Sequence, residues 1–302
     1  MRRKLNAALL LDKPVGITSN AALQTVKRLY GARKAGHAGT LDPLASGLLL
    51  ILFGEATKFA GPLLDSAKEY LARVKLGETT TTGDAEGDTI ERRDVRLRDS
   101  EIEAALSRFR GPIRQVPPMY SALKHQGRPL YSLAREGRSV ERQPREVLIH
   151  ELELLGRTAD ELDLRVRCSK GTYVRTLAED IGAALGVGGH LAALRRTAVG
   201  PLDIRGATPL AELEGLNDTA REAKLVPLEA LLKGLPRAEL ETSLESRFRN
   251  GQPVRYPRGE TGLCGVFGAG GSLIGLGQLG EDGQLRPIRL TEAGPGAAQP
   301  AE

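Results

Sequence analysis

The chain has 302 residues, with 43 Lys and Arg against 38 Asp and Glu, a formal charge of +5, and is 40% apolar and 27% charged. That balance excludes a disordered or fibrous chain, and the length accommodates one large domain and a smaller one. Two widely separated cysteines and four histidines without metal-ligand spacing argue against a disulfide framework, a four-thiolate site or a protein-built zinc or iron centre.

The start, MRRKLNAALLLDK, has too short an apolar stretch for a signal peptide and reads as a first strand over 7–11. An amphipathic helix follows over 20–30, closed by Gly31. Residues 34–47 hold three of the chain's glycines and no period, so they read as a loop before a buried strand at 48–53. That apolar run, the longest, falls far short of the ~20 residues that cross a bilayer. Residues 55–65 read as a helix broken by Pro62, and 70–76 as a strand. The stretch TTTTGDAEGD is a polar turn, and 100–111 a helix with a Ser100/Glu103 capping box. Strands at 147–155 and 162–168 precede a helix over 173–185. Residues 217–242 form a weakly structured connection, 243–250 a short helix, and the Gly-rich 251–290 a small β-rich domain. The tail from 294 reads as disordered. Helices and strands mix without strict alternation or repeat, which predicts an α+β fold with a mixed, largely antiparallel sheet. The absence of a disulfide framework and of a leader points to the cytoplasm.

The charge is segmented. Residues 1–75 carry 12 basic and five acidic side chains, 108–146 nine and three, and 166–200 five and two, whereas the intervening 76–107 is acidic. A single basic run is commonly a solvated face. Three in one chain favour a polyanion, because each phosphate neutralised releases counterions. Nucleic acid is therefore the favoured partner class.

Asp42 is the leading candidate for chemistry: it sits in GHAGTLDPLASG, beside Pro43 and among glycines that allow tight, exposed backbone. An Asp opening a turn before Pro fits the same pattern. His37, in the same loop, serves equally as a ligand-facing group or a loop hydrogen-bonder. Arg175, opening a helix, could hold a carboxylate ionised or contact phosphate. Tyr70 and Tyr173 are two of only eleven aromatics and offer a face to stack an extruded base, or core packing. No phosphate-binding loop, dinucleotide fingerprint, nucleophile elbow or zinc helix motif is present.

Five blocks, DKPVGITS, GHAGTLDPLASG, KEYLARVKLG, VPPMYSALKHQGRPLYSLAREG and CSKGTYVRTLAEDIG, appear in order between residue 12 and residue 182. Together they resemble the bacterial TruB family, the tRNA pseudouridine-55 synthases. The resemblance implies a pseudouridine synthase fold over 1–235 with an RNA-gripping insertion at 117–146. It also implies a PUA-like RNA-binding domain over 236–293 and a tail at 294–302. It implies isomerisation of one T-loop uridine of tRNA by a monomer, without cofactor or metal. Asp42 matches the family's catalytic aspartate, Tyr70 the tyrosine that stacks on the flipped base, and Arg175 the arginine paired with the carboxylate. Lys13, Tyr173 and Leu194 match pocket residues, and His37 a histidine that holds the T loop. The sequence departs from the family pattern at Ala38, Glu69 and Pro62, none of them a matched site residue. The rival readings are a non-catalytic tRNA-binding protein, which would not need Asp42, Tyr70 and Arg175 together, and a guide-RNA-dependent synthase, which the 117–146 insertion disfavours.

Overall fold

The computed structural model describes residues 2–121, 123–256 and 259–292. Two apolar runs pair at the centre of the first sheet: Ala7–Lys13 lies antiparallel to Ala45–Phe53, Leu9 opposite Ile51 and Leu11 opposite Leu49. From this pair a long sheet extends in the order Thr208–Pro209, Ala7–Lys13, Ala45–Phe53, Gly189–Val199, Lys68–Leu76, Glu161–Cys168, Arg145–Arg157 and Gly111–Gln115. Only the contacts of Ala7–Lys13 with Thr208–Pro209 and of Ala45–Phe53 with Gly189–Val199 are parallel along that path. The fold is α+β on a mixed, largely antiparallel sheet.

Period-2 alternation sorts each strand's side chains onto two faces. On one, Leu9, Leu11, Leu49, Ile51 and Phe53 pack beneath the helix Ser19–Leu29, whose buried Ala22, Leu23 and Val26 recur at helical spacing. That helix is capped by Thr18, whose hydroxyl accepts from the Ala21 N–H at 3.1 Å. Further along, Ala72, Val74, Leu162, Leu164 and Val166 pack against Val174–Ala184 and Asp99–Ser107 through Leu177, Ile181, Ile102 and Leu106. On the opposite side Leu48, Leu50 and Leu52 share a core with Leu231, Leu232, Phe267, Leu273 and Leu276. A second, five-stranded sheet, built from Arg237–Glu239, Val254–Arg255, Gly262–Phe267, Leu273–Leu279 and Gln284–Leu290, thus docks on the first.

Several expectations need correcting. The 34–47 loop contains an edge strand, Ala35–Ala38, and the next strand begins at Ala45 rather than 48. Four small or polar residues give no apolar alternation, so main-chain pairing alone marks the edge strand. Pro62 does not break a helix: a 3₁₀ turn over Gly54–Phe59 leads into Ala60–Asp65, where Pro62 is the third residue and its missing N–H would have had no intrahelical acceptor. The cap at the next helix is Arg98, whose N–H donates to Glu101 Oε2 at 2.8 Å, not Ser100; Glu103 instead accepts from Arg110 at 2.6 Å. Residues 217–242 hold a helix, Asp218–Glu222, a 3₁₀ turn, Leu228–Leu232, and a strand. The central strand Gly189–Val199 was not expected, because bulges at 191/193 and 196/198 interrupt its alternation. The insertion carries a two-residue hairpin, Lys124–His125 with Arg128–Pro129, and the helix Leu130–Arg135. The tail at 294–302 lies outside the described residues. Among the described residues no helix is long and apolar enough to cross a membrane.

Candidate active site

The turn that carries Asp42 is fixed from three sides. Leu41 is buried, its N–H donating to Ser19 Oγ at 2.8 Å while that hydroxyl donates back to the Leu41 carbonyl at 2.9 Å. The Gly16 N–H donates to the Pro43 carbonyl, and the Ala45 N–H to the Asp42 carbonyl. From below, Arg196 donates to the carbonyls of Gly39 and Leu48 at 3.1 and 2.8 Å. Where this loop enters its strand, Gly47 has φ +101° and a Cβ would lie 2.3 Å from the Arg196 carbonyl oxygen, so only glycine fits.

Arg175 is set by the helix it opens. Tyr173 precedes that helix, its N–H donating to the buried Gln115 Oε1 at 3.0 Å while Gln115 Nε2 returns a bond to the Tyr173 carbonyl. The Arg175 guanidinium, 7% exposed, then lies between two carboxylates: one terminal nitrogen is 2.8 Å from Asp42 Oδ2 and Nε is 3.4 Å from Asp84 Oδ2. Its remaining donors reach the carbonyls of Tyr120 and Thr82. Asp84 is sealed at 4% exposure and also accepts from Thr82 Oγ1 and the Glu86 N–H, whereas Asp42 keeps 47% of its side chain open. One carboxylate anchors the arginine; the other is presented.

Asp42 opens onto a cavity of about 300 Å³, within the range of small-ligand sites. Tyr70, Tyr173, Arg175, Leu194 and Arg196 line it with Asp42. Tyr70 and Arg196 are register partners on adjacent strands, as are Ala72 and Leu194, which brings the aromatic ring and the aliphatic side chain to one wall. Burial raises the Tyr70 phenol pKa, and the Arg196 charge opposes it.

Five of the seven sequence candidates therefore meet at one cavity, and two do not line it. Lys13 is wholly buried, donating from Nζ to the carbonyls of Pro14 and Ile17 at 2.8 and 2.7 Å; burial lowers its pKa to about 8, against the attraction of Asp42. It braces the turn at 14–17, whose Gly16 holds Pro43. His37 lies in the edge strand opposite Ile51, with a buried Nδ1 that has no partner among the described residues and a pKa lowered by burial and by Arg196.

Three side chains escaped sequence reasoning. Asp84 was read as part of a polar turn, Arg196 lay in a strand not recognised as one, and Lys68 seemed one more basic residue. Lys68 lines the cavity while its Nζ caps the preceding turn through the carbonyls of Leu63, Leu64 and Ser66. Desolvation lowers its pKa to about 8.

A family model described as TruB family pseudouridylate synthase (N terminal domain) matches residues 27–174, and models for the tRNA pseudouridylate synthase B C-terminal domain and the Pseudouridine synthase II TruB C-terminal region match 175–235 and 236–291. A tRNA pseudouridine synthase B of Dechloromonas aromatica (strain RCB) is 52% identical over 290 residues, covering 96% of this chain and 97% of that protein. One of Burkholderia mallei (strain NCTC 10247) is 51% identical over 300 residues, covering 97% and 99%. Among solved structures, an archaeal box H/ACA sRNP Nop10–Cbf5 complex superposes with a TM-score of 0.72 at 25% identity, covering 95% of this chain and 86% of that one. A Cbf5–Nop10–Gar1 complex gives 0.72 at 26%.

Proposed function

The chain belongs to the TruB family of pseudouridylate synthases and is a tRNA pseudouridine synthase, and on that premise we propose that it isomerises uridine 55, in the T loop of tRNA, at Asp42. The observation that carries the reading is the pairing of a half-exposed carboxylate with a buried guanidinium at the mouth of a nucleoside-sized cavity walled by two tyrosines.

The reaction breaks the N1–C1′ bond of uridine, turns the uracil, and joins C5 to C1′; the C5 proton leaves and N1 gains one. Nothing is oxidised and no group passes to a second molecule, so a carboxylate in a water-poor pocket is sufficient chemistry. Arg175 pairs with Asp42 and aims it. Tyr70 offers its face to the flipped base and Leu194 an apolar contact on the same wall, which requires the uridine to leave its stack. Tyr173 lines the entrance, Lys13 supports the loop from beneath, and His37 meets the T loop from the edge strand. In this reading residues 1–235 form the catalytic domain, 236–293 a PUA-like RNA-binding domain, and the monomer works in the cytoplasm on tRNA. The test is tritium release from tRNA labelled at uracil C5. Release from unaltered tRNA, and none from the T-loop label when position 55 carries another base, is expected; equal release from both would overturn the site assignment.

The 117–146 insertion is proposed to grip phosphates. Arg142 extends from it with one terminal nitrogen on the Pro117 carbonyl at 3.2 Å, and Arg138 stands near Glu136. Neutralising Arg135, Arg138 and Arg142 together is expected to weaken tRNA binding and to reduce the slope of log K against log salt by about two to three. An unchanged slope in a filter-binding titration would remove the insertion from the interface.

A further inference from the structure

Arg196 heads the fully buried side chains by volume, at 1% exposure. A sealed guanidinium is costly unless compensated, and among the described residues Arg196 has no carboxylate partner within ion-pair distance. Its donors go to main-chain carbonyls instead: Nε to Leu48 at 2.8 Å, and the terminal nitrogens to Gly39 at 3.1 Å and Thr40 at 3.5 Å. Gly39 and Thr40 lead into Asp42, and Leu48 belongs to the strand that leaves the Asp42 turn. The same guanidinium lines the cavity, and Arg196 is the register partner of Tyr70 on the adjacent strand. Its backbone presses on Gly47 at the end of that turn.

One rigid planar fork therefore touches both ends of the Asp42 turn and the aromatic wall. A purely structural clamp for three carbonyls needs no charge, yet this position keeps one, uncompensated and facing the cavity. We propose that Arg196 is the positioning residue of the reaction, setting the Asp42 turn against the Tyr70 ring so that carboxylate and aromatic close on one flipped base. This inference rests on the reading of the cavity given above. Arg196 and Tyr70 are register partners on adjacent strands, and the Arg196 charge works against the burial that raises the phenol's pKa.

The experiment uses Arg196→Lys and Arg196→Met in the full chain, each also in a Tyr70→Phe background. Single-turnover tritium release at saturating enzyme is read beside tRNA affinity and thermal midpoint. Arg196→Lys is expected to bind tRNA within about threefold of the parent and to react roughly 10²-fold more slowly, since a single ammonium cannot span the three carbonyls. In the Tyr70→Phe background that loss is expected to shrink to less than about tenfold, because groups acting as a unit are not additive. Arg196→Met is expected to react more slowly still. If neither Arg196 variant folds, Gly39→Ala, which strains the loop at φ +86° and brings a Cβ to 3.3 Å from the guanidinium, disturbs the clamp from the loop side, and the coupling of its rate loss to Tyr70, rather than the rate loss alone, is the readout. A full rate in Arg196→Lys, or equal losses in both backgrounds, overturns the inference while leaving the reading of the cavity intact. No release by the parent enzyme overturns that reading instead.

Discussion

The Asp42→Asn enzyme is expected to bind tRNA and release no tritium from uracil C5. The substitution keeps the shape of the side chain and removes only its charge. Arg175 then still faces Asp84 at 3.4 Å and still donates to Tyr120 and Thr82, so the buried guanidinium remains compensated. The lost pair is half open to solvent on the Asp42 side, and pairs of that kind contribute about 1 kcal/mol or less. The melting midpoint should therefore move little, and tRNA affinity less than about tenfold. Turnover, by contrast, should fall on the order of 10⁴-fold or more, the scale on which removal of the central reactive group is felt. Turnover within about tenfold of the parent would leave the carboxylate as a turn-former before Pro43.

That alternative was open in the sequence for a physical reason. Asp-Pro among glycines describes a local backbone, and a turn has the same local backbone whether or not a guanidinium waits 2.8 Å away. What bears on the question is a helix more than 130 positions later, whose Arg175 pairs with Asp42, and nothing in GHAGTLDPLASG encodes it. Family resemblance carried that long-range information, which is why Asp42, Arg175, Tyr70, Tyr173 and Leu194 could be named together. Local periodicity served well where burial is regular: the alternation at 70–76 and the helical stripe at 22, 23 and 26 matched their strand and helix. It failed at Gly189–Val199, where two bulges shift the phase, and that one omission concealed Arg196. A buried arginine looks like any other charged residue until the strand around it is recognised as central. Asp84 was hidden differently. Its neighbours are threonines and glycines suited to an exposed turn, and only tertiary contacts with Arg175 of the Val174–Ala184 helix and with Leu191 of the Gly189–Val199 strand enclose it.

Removing Arg175 should separate its two partners experimentally. Arg175→Met keeps the apolar stem of the side chain but leaves Asp84, 4% exposed, as a charge without its guanidinium partner. Uncompensated buried charges of this kind cost about 3–5 kcal/mol, and the carbonyls of Tyr120 and Thr82 lose donors as well. A denaturation midpoint lowered accordingly is expected. Adding Asp84→Asn should recover much of the stability, since Thr82 Oγ1 and the Glu86 N–H can still donate to the amide oxygen. It should recover none of the turnover, because Asp42 gains no cation from that change. The paired measurement is decisive for the division of labour: stability restored without activity assigns Asp84 to anchoring the arginine and Asp42 to the chemistry. A single variant as stable as the parent would mean that water or a neighbouring group already compensates Asp84, and the arginine would then serve Asp42 alone.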